Sequence, residues 1–198
     1  MPLMNELKIL GISGSLRAGS HNTALLHATR KFAPPGMNVE IHEGLRDVPP
    51  YDMDLDTPLG RPAAAQDLRD RVNAADGLLI VTPEFNYSIP GVLKNAIDWA
   101  STDWTGTEGP PLLRKPIAIA GAAPTNFGSV RAQLALRQVF VWTDSDVVTK
   151  PELIVFRDHG RFDDGGDLID ETTAGLLRDL LNALAARTRA ARQEDTGR

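Results

Sequence analysis

The sequence predicts an α/β fold in which one doubly wound parallel sheet carries helices on both faces. Two patterns support this prediction. Short apolar runs alternate with helical segments along the chain, and an almost wholly apolar run such as residues 77–82 is typical of a central strand buried on both faces. Strands joined by right-handed helical crossovers build a single sheet, so the 198 residues are expected to form one domain, residues 1–198.

The predicted elements follow from local signals. The first helix must stop at Pro34-Pro35-Gly36, and Pro90 begins the third helix. Residues 45–62 contain four prolines and are expected to form a long surface loop, while the polar residues 190–198 are expected to fray. The predicted strands are 7–13, 38–42, 77–82, 116–121 and a fifth made of 146–148 with 153–155, and the predicted helices are 22–32, 63–75, 91–100, 129–139 and 170–189.

Composition excludes several classes of function. The chain has 21 basic and 26 acidic residues and a net charge of −5, which disfavours nucleic acid or an anionic membrane as partner. Without cysteine, it cannot use disulfides, thiol catalysis or iron–sulfur ligation. No secretory signal is visible, and no run approaches the roughly 18 apolar residues of a membrane span, so a soluble, cytoplasmic protein is expected. The histidines, at positions 21, 27, 42 and 159, show no metal-ligand spacing, so no metal site is expected.

The segment between the first strand and the first helix has the composition of a phosphate-binding loop. It is rich in Gly and Ser and carries Arg17. In an α/β unit, this placement aims backbone N–H groups and the positive end of the helix dipole at one point. The glycine spacing fits neither a dinucleotide fingerprint nor a nucleotide P-loop, so a mononucleotide with a terminal phosphate is predicted. The side chains that can donate to it are Ser15, Arg17, Ser20, Asn22 and Thr23.

Three loops are expected to converge on one site. Ligands of doubly wound sheets bind beyond the carboxyl ends of the strands, where the strand order reverses. That position would collect residues 14–22, 83–88 and 122–128. In the second of these loops, Phe85 and Tyr87 can line a flat heteroaromatic ring, and Asn86 offers a carboxamide to its edge.

Three segments carry a family resemblance. They are Gly14-Ser15-Leu16-Arg17-x-Gly19-Ser20-x-Asn22, then Pro83-Glu84-Phe85-Asn86-Tyr87-Ser88 followed by Pro90-Gly91-x-Leu93-Lys94-Asn95-Ala96-Ile97-Asp98-Trp99, and finally Gly128-x-x-Arg131-Ala132-Gln133-x-x-Leu136-Arg137. Over nearly its whole length the chain resembles the NADPH-dependent FMN reductase family, with its quinone and chromate reductase-like members, in the flavodoxin-like superfamily. The resemblance implies a five-stranded sheet in the order 2-1-3-4-5 and a tightly bound FMN.

The resemblance also implies the residues of the FMN site. The phosphate would be held by Ser15, Arg17, Ser20 and Asn22, and the isoalloxazine would lie against Pro83, Glu84, Phe85, Asn86 and Tyr87. Glu84 could instead orient a subunit interface without touching the flavin. The expected cofactor-binding set is completed by His21, Thr23 and Gly121. No catalytic side chain is expected, because the flavin carries the chemistry. Residues 121–128 depart from the family pattern, which leaves their contacts open. Arg131 and Arg137 could bridge subunits, contact a nicotinamide phosphate or face solvent.

The activity implied is transfer of hydride from NADPH or NADH to bound FMN, and then of electrons to quinones or related small acceptors. A homodimer or homotetramer is expected. Two alternatives stay open: a reductase that supplies reduced FMN to a partner monooxygenase, and a non-catalytic flavodoxin-like electron carrier. Retention of FMN through purification argues against the first alternative, and rapid reduction of the flavin by NADPH or NADH argues against the second.

Overall fold

The computed structural model describes residues 6–196 and contains one sheet between two helical layers. Short 3-10 turns occur at Gly44–Asp47, Met53–Leu55 and Asp158–Gly160. The helices and strands are β1 (Leu7–Ser13), α1 (His21–Phe32), β2 (Met37–His42), α2 (Ala63–Ala74), β3 (Gly77–Val81), α3 (Gly91–Ser101), β4 (Pro116–Ala123), α4 (Val130–Trp142), β5 (Asp146–Val147), β6 (Leu153–Phe156) and α5 (Glu171–Thr196).

All strand pairs are parallel, and the strands lie in the order β2-β1-β3-β4-β5, with β6 also paired to β4. The predicted flavodoxin-like fold and the order 2-1-3-4-5 are confirmed. The predicted fifth strand is divided into two short pieces, β5 beside the start of β4 and β6 beside its end. Pro151 lies between the two pieces and has no N–H group to donate to the ladder, which accounts for the interruption.

The two faces of the sheet are covered by different helices. Leu26 of α1 and Leu181 of α5 are buried on one face, and Trp99 of α3 and Phe140 of α4 are buried on the other. Successive side chains of a strand point to opposite faces, so neighbouring residues of β1 contribute to different cores. Since both faces are covered, the open edge at the carboxyl ends of the strands is where a ligand can reach the sheet.

Within residues 6–196, no helix combines the length and apolar composition of a bilayer-spanning segment.

The loop after β2 is long, as predicted, but a buried polar network holds it in place. The Asp56 carboxylate accepts hydrogen bonds from Arg61 Nε at 2.9 Å and from the Tyr51 hydroxyl at 3.1 Å. The Trp99 indole N–H donates to the Pro49 carbonyl at 2.8 Å. These contacts fasten the loop to α3.

The end of α5 differs from the prediction. The helix continues past Arg189 to Thr196, so residues 190–196 are helical rather than frayed, and residues 197–198 lie outside the described part of the chain. Arg192 forms an ion pair with Asp76, the residue before β3. The polar composition predicted an unpacked tail, because it does not reveal that this arginine reaches a carboxylate far away in the sequence.

Candidate functional site

The loops after β1, β3 and β4 meet at the carboxyl edge of the sheet, as expected. The Gly14 N–H donates to the Val81 carbonyl at 2.8 Å. The Asn22 carboxamide donates to the Ala122 carbonyl at 2.9 Å and accepts from the Ala122 N–H at 2.8 Å. A Cβ atom at Gly14 would lie only 3.0 Å from Thr82 Oγ1, so the close approach of the first two loops favours glycine. These contacts tie the loop after β1 to the end of β3, and the start of α1 to the end of β4.

The start of α1 forms a cradle for an anion. Ser20 is the N-cap, and its Oγ accepts a hydrogen bond from the Asn22 N–H at 3.2 Å. Among residues 6–196, the N–H groups of His21 and Thr23 have no backbone or side-chain acceptor. Because first-turn N–H groups lie at the positive end of the helix dipole, this end of α1 favours a negatively charged group. The Ser20 hydroxyl, used only as an acceptor, can donate its own proton to the same group.

Arg17 stands exposed at the cradle. None of the ion pairs among the described residues includes its guanidinium, and a Cβ atom at Gly19 would lie 3.4 Å from Arg17 Nη1. Arg46 approaches the same loop and donates from Nη2 to the Leu16 carbonyl at 2.8 Å. Sequence reasoning missed Arg46, because it lies in the 3-10 turn after β2 and only the fold brings it to this loop. Ser15 is half-buried, and its Oγ accepts a weak hydrogen bond from the Arg17 N–H at 3.4 Å.

Three of the predicted cofactor-binding side chains have protein partners. Asn22 is buried with both ends of its carboxamide bonded to Ala122, and Thr23 Oγ1 shares a hydrogen bond of 2.8 Å with Ser13 Oγ. The His21 ring lies 3.0 Å, measured from Nδ1, from an Asp158 carboxylate oxygen. These side chains hold the shape of the loop. Their partners are on β1, β4 and the turn after β6, and their direct contact with the cofactor stays a prediction.

The 83–88 loop presents two aromatic rings to solvent through a tight turn. Phe85 and Ser88 exchange two backbone hydrogen bonds of 3.1 and 3.0 Å. The two residues between them, Asn86 and Tyr87, have left-handed backbones with φ of 50° and 66°. Phe85 and Tyr87 are 54% and 71% exposed, whereas Pro83 is buried at the base of the loop. Left-handed geometry is unfavourable for tyrosine, and such positions cluster at functional sites.

Glu84 is turned away from this exposed wall. Its side chain is 7% exposed, and its carboxylate accepts hydrogen bonds from the Arg131 N–H at 2.9 Å and from Arg131 Nε at 2.6 Å. The carboxylate therefore caps the start of α4. The Arg131 guanidinium carbon lies 3.7 Å from the centre of the Tyr87 ring and 4.8 Å from that of Phe127. Glu84 thus positions Arg131, which contacts the Tyr87 and Phe127 rings, and the expected contact of Glu84 with the isoalloxazine stays a prediction.

Gly121 is enclosed within β4. A Cβ atom there would lie 2.3 Å from the Thr82 carbonyl oxygen and 2.0 Å from Ser129 Oγ. This residue lets the sheet and the start of α4 pack closely. Its expected contact with the cofactor stays a prediction.

Comparisons with known proteins identify the family of this chain. Residues 7–160 match the family model described as NADPH-dependent FMN reductase. The chain is 43% identical over 182 residues to an NAD(P)H-dependent FMN reductase of Pseudomonas aeruginosa, covering 92% of this chain and 95% of the relative. It is 37% identical to a quinone reductase of Escherichia coli, covering 91% and 95%. The solved structure of FerB, a flavoenzyme NAD(P)H:(acceptor) oxidoreductase from Paracoccus denitrificans, has a TM-score of 0.82 at 29% identity and covers 93% of this chain and 98% of its own. The chain belongs to the NADPH-dependent FMN reductase family.

Proposed function

We propose that the protein is an FMN-dependent oxidoreductase that takes hydride from NADPH or NADH and reduces quinones or related small acceptors. The observation that carries this proposal is an anion cradle tied, through three loops, to an exposed aromatic wall on the same sheet edge. A flavin mononucleotide has a phosphate at one end and a flat ring at the other, and this surface offers a place for each. The names of the relatives support the choice of electron donor and acceptor.

The cradle suits the phosphate of FMN. Its donors are the N–H groups of His21 and Thr23, the Ser20 hydroxyl and the free Arg17 guanidinium, with Ser15 beside them. Hydrogen bonds in which one partner is charged are the strong ones, so several donors converging on a phosphate would hold it firmly. Asn22 and the Thr23 hydroxyl contribute by keeping the cradle in place.

The second loop suits the isoalloxazine. We assign Pro83, Phe85, Asn86 and Tyr87 to the wall of the ring site, with Glu84 and Arg131 holding the wall from behind. When bound, FMN supplies both hydride acceptance and onward electron transfer. The protein then needs to orient two substrates, one after the other, and to exclude water in part, which requires no acid–base triad.

Reduction by nicotinamide nucleotides tests the proposal directly. The purified full-length protein, loaded with FMN and free of oxygen, is mixed with NADPH or NADH in a stopped-flow instrument, and the flavin absorbance is followed. We expect rapid bleaching with at least one nucleotide and recovery of the oxidised spectrum on adding a small quinone. Flavin that stays oxidised for minutes with both nucleotides would favour the electron carrier. Loss of FMN on gel filtration would favour the supplier of a monooxygenase.

The proposal includes self-association as a homodimer or homotetramer and a cytoplasmic location. Trp142 and Trp104 border one shallow recess and are 88% and 57% exposed, and Val141 next to Trp142 is 79% exposed. A contiguous exposed apolar patch is typical of an interaction site, and a second copy of the chain would cover it. The cytoplasm supplies the reduced nicotinamide nucleotides on which the proposed reaction depends.

A further inference from the structure

A cluster of metal-ligating side chains lies beside the cradle, where α1 begins and the Asp158–Gly160 turn follows β6. His21 Nδ1 is 3.0 Å from one oxygen of the Asp158 carboxylate, and His159 Nδ1 is 3.9 Å from the other. One ligand atom from each of the three residues lies within 4.8 Å of the others. The fold joins residues that are far apart in the chain, which is why histidine spacing in the sequence predicted no metal site.

The Asp158 carboxylate has an unpaired buried oxygen. Its side chain is 6% exposed, and Oδ1 has no hydrogen-bond partner among the described residues. Buried carboxylate oxygens normally receive a hydrogen bond or a cation, because removing the charge from water is unfavourable. The other oxygen, Oδ2, is the one that faces His21. Oδ1 is therefore an open coordination site on the side of the carboxylate that faces His159.

We propose that His21, Asp158 and His159 bind a divalent transition-metal cation of the zinc type. Two imidazole nitrogens and one carboxylate oxygen are ligands that zinc accepts, and a tetrahedral site leaves a fourth position for solvent. Bonds of about 2.0–2.2 Å place neighbouring ligand atoms about 3.4 Å apart. The ligand atoms lie within 4.8 Å of one another, and each imidazole faces a different oxygen of the carboxylate, at 3.0 Å for His21 and 3.9 Å for His159, so the side chains must move closer together to close the site.

Two of the three side chains are packed in place and the third is exposed, an arrangement that suits capture of a cation from solution. Asp158 is buried, and the His21 ring is stacked on Phe162 with centroids 4.8 Å apart, so both are fixed before the metal arrives. The side chain of His159 is 76% exposed and can swing to complete the site. The cation would enter from the solvent side, next to His159.

Calorimetric titration with Zn²⁺ tests this proposal. The full-length protein is treated with a chelator, passed through a desalting column and titrated with a zinc salt in a phosphate-free buffer. We expect one Zn²⁺ site per chain, with affinity at least about tenfold weaker in Asp158→Asn and in His159→Ala. His27→Ala is the matched control, since His27 is exposed on α1 but outside the cluster, and it should bind Zn²⁺ like the parent chain. Mg²⁺, which prefers oxygen ligands, should not compete.

Three results would overturn the proposal. The first is that the parent chain does not bind Zn²⁺ at all, and the second is that His159→Ala binds it with the same affinity as the parent. The third is a loss of Zn²⁺ affinity in His27→Ala equal to that in His159→Ala. Circular dichroism and thermal unfolding establish that each variant is folded. Should Asp158→Asn fail to fold, His159→Ala decides the matter, because the His159 side chain is 76% exposed and its truncation leaves the buried Asp158 and the stacked His21 ring in place.

Discussion

Arg17 lies in the loop after β1 and Asn22 in the first turn of α1, and of the two only Arg17 offers a charged group. Asn22 is buried against Ala122, so its replacement would disturb the loop itself, whereas Arg17 is exposed and makes no ion pair in the described part of the chain. Truncation of Arg17 is therefore the cleaner test of phosphate binding.

We expect Arg17→Ala to weaken FMN binding by about 1.5–3 kcal/mol, the contribution of one charged hydrogen bond. Fluorescence titration of the flavin-free protein measures the change. Riboflavin, which lacks the phosphate, should bind the parent and the variant alike. Arg30→Ala, an exposed change in the last turn of α1, is the matched control. An unchanged FMN affinity in Arg17→Ala would leave the backbone N–H groups as the main phosphate ligands.

Tyr87 is expected to matter for turnover more than for FMN retention, because the phosphate end provides much of the anchoring. Tyr87→Ala should leave a folded, yellow protein whose kcat/KM falls by about three- to tenfold, since an exposed cation–π contact contributes about 0.5–1 kcal/mol and the ring wall is also lost. Tyr87→Phe, which keeps the ring over Arg131, is the control and should stay near the parent. Steady-state kinetics with a small quinone, ping-pong in form, provide the measurement. Equal kcat/KM in Tyr87→Ala and the parent would remove Tyr87 from the substrate site.

At the scale of elements, α5 depends on a cap that the sequence places at its start. Asp170 accepts hydrogen bonds from the Thr173 N–H at 2.8 Å and the Thr173 hydroxyl at 2.6 Å, and it pairs with Arg161. The hydrogen bonds from Thr173 hold the pKa of the Asp170 carboxyl below its ordinary value of 3.8, and Arg161 adds to the effect. The charged form is thus favoured in the folded state.

We expect Asp170→Ala to lower the free energy of unfolding by about 1 kcal/mol at neutral pH, the usual effect of losing an N-cap. The pKa of Asp170 is lower in the folded protein than its ordinary value of 3.8. This stabilisation is therefore fully present above pH 3.8 and is lost as the pH falls through the pKa of the folded protein. Urea unfolding gives the difference in free energy of unfolding between the parent and the variant. This difference should therefore be smaller near pH 3 than at neutral pH. Glu171→Ala, a change at an exposed side chain in the first turn, should have a smaller effect. If the difference in free energy of unfolding is the same at both pH values, the charged carboxylate is not its source.

The elements that were predictable are those with strong local signals. The run that became β3 is apolar throughout, and Pro90 marks the start of α3. The extension of α5 was not predicted, since the local sequence does not reveal that Arg192 in this segment pairs with Asp76 before β3. The candidate site shows the same division: the loop composition predicted which segments form it, but the hydrogen-bond partners of Glu84 and Asn22 come from α4 and β4. Residue type indicates what a side chain can do, and only the fold decides which partner it meets.

At the scale of the whole molecule, the exposed indole of Trp142 provides the test of self-association. We expect light scattering after gel filtration to give the parent chain the mass of a dimer or tetramer. Trp142→Glu should lower that mass, because a charge would be buried without a partner at the interface. Leu59→Glu is the matched control, since Leu59 is fully exposed in the loop after β2. A monomeric parent chain would contradict the expectation, as would a mass unaffected by Trp142→Glu.

The bonds between Asn22 and Ala122 also bear on how the protein is made, since they join positions 100 residues apart. Closing so long a segment loses chain entropy, which is recovered only once β4 has paired with β3. A nascent chain that has not yet released β4 from the ribosome therefore lacks a finished cradle, even though every donor of that cradle has already been synthesised. We expect cofactor loading to follow completion of the sheet, so that occupancy marks the molecules that have finished folding and then protects them by mass action.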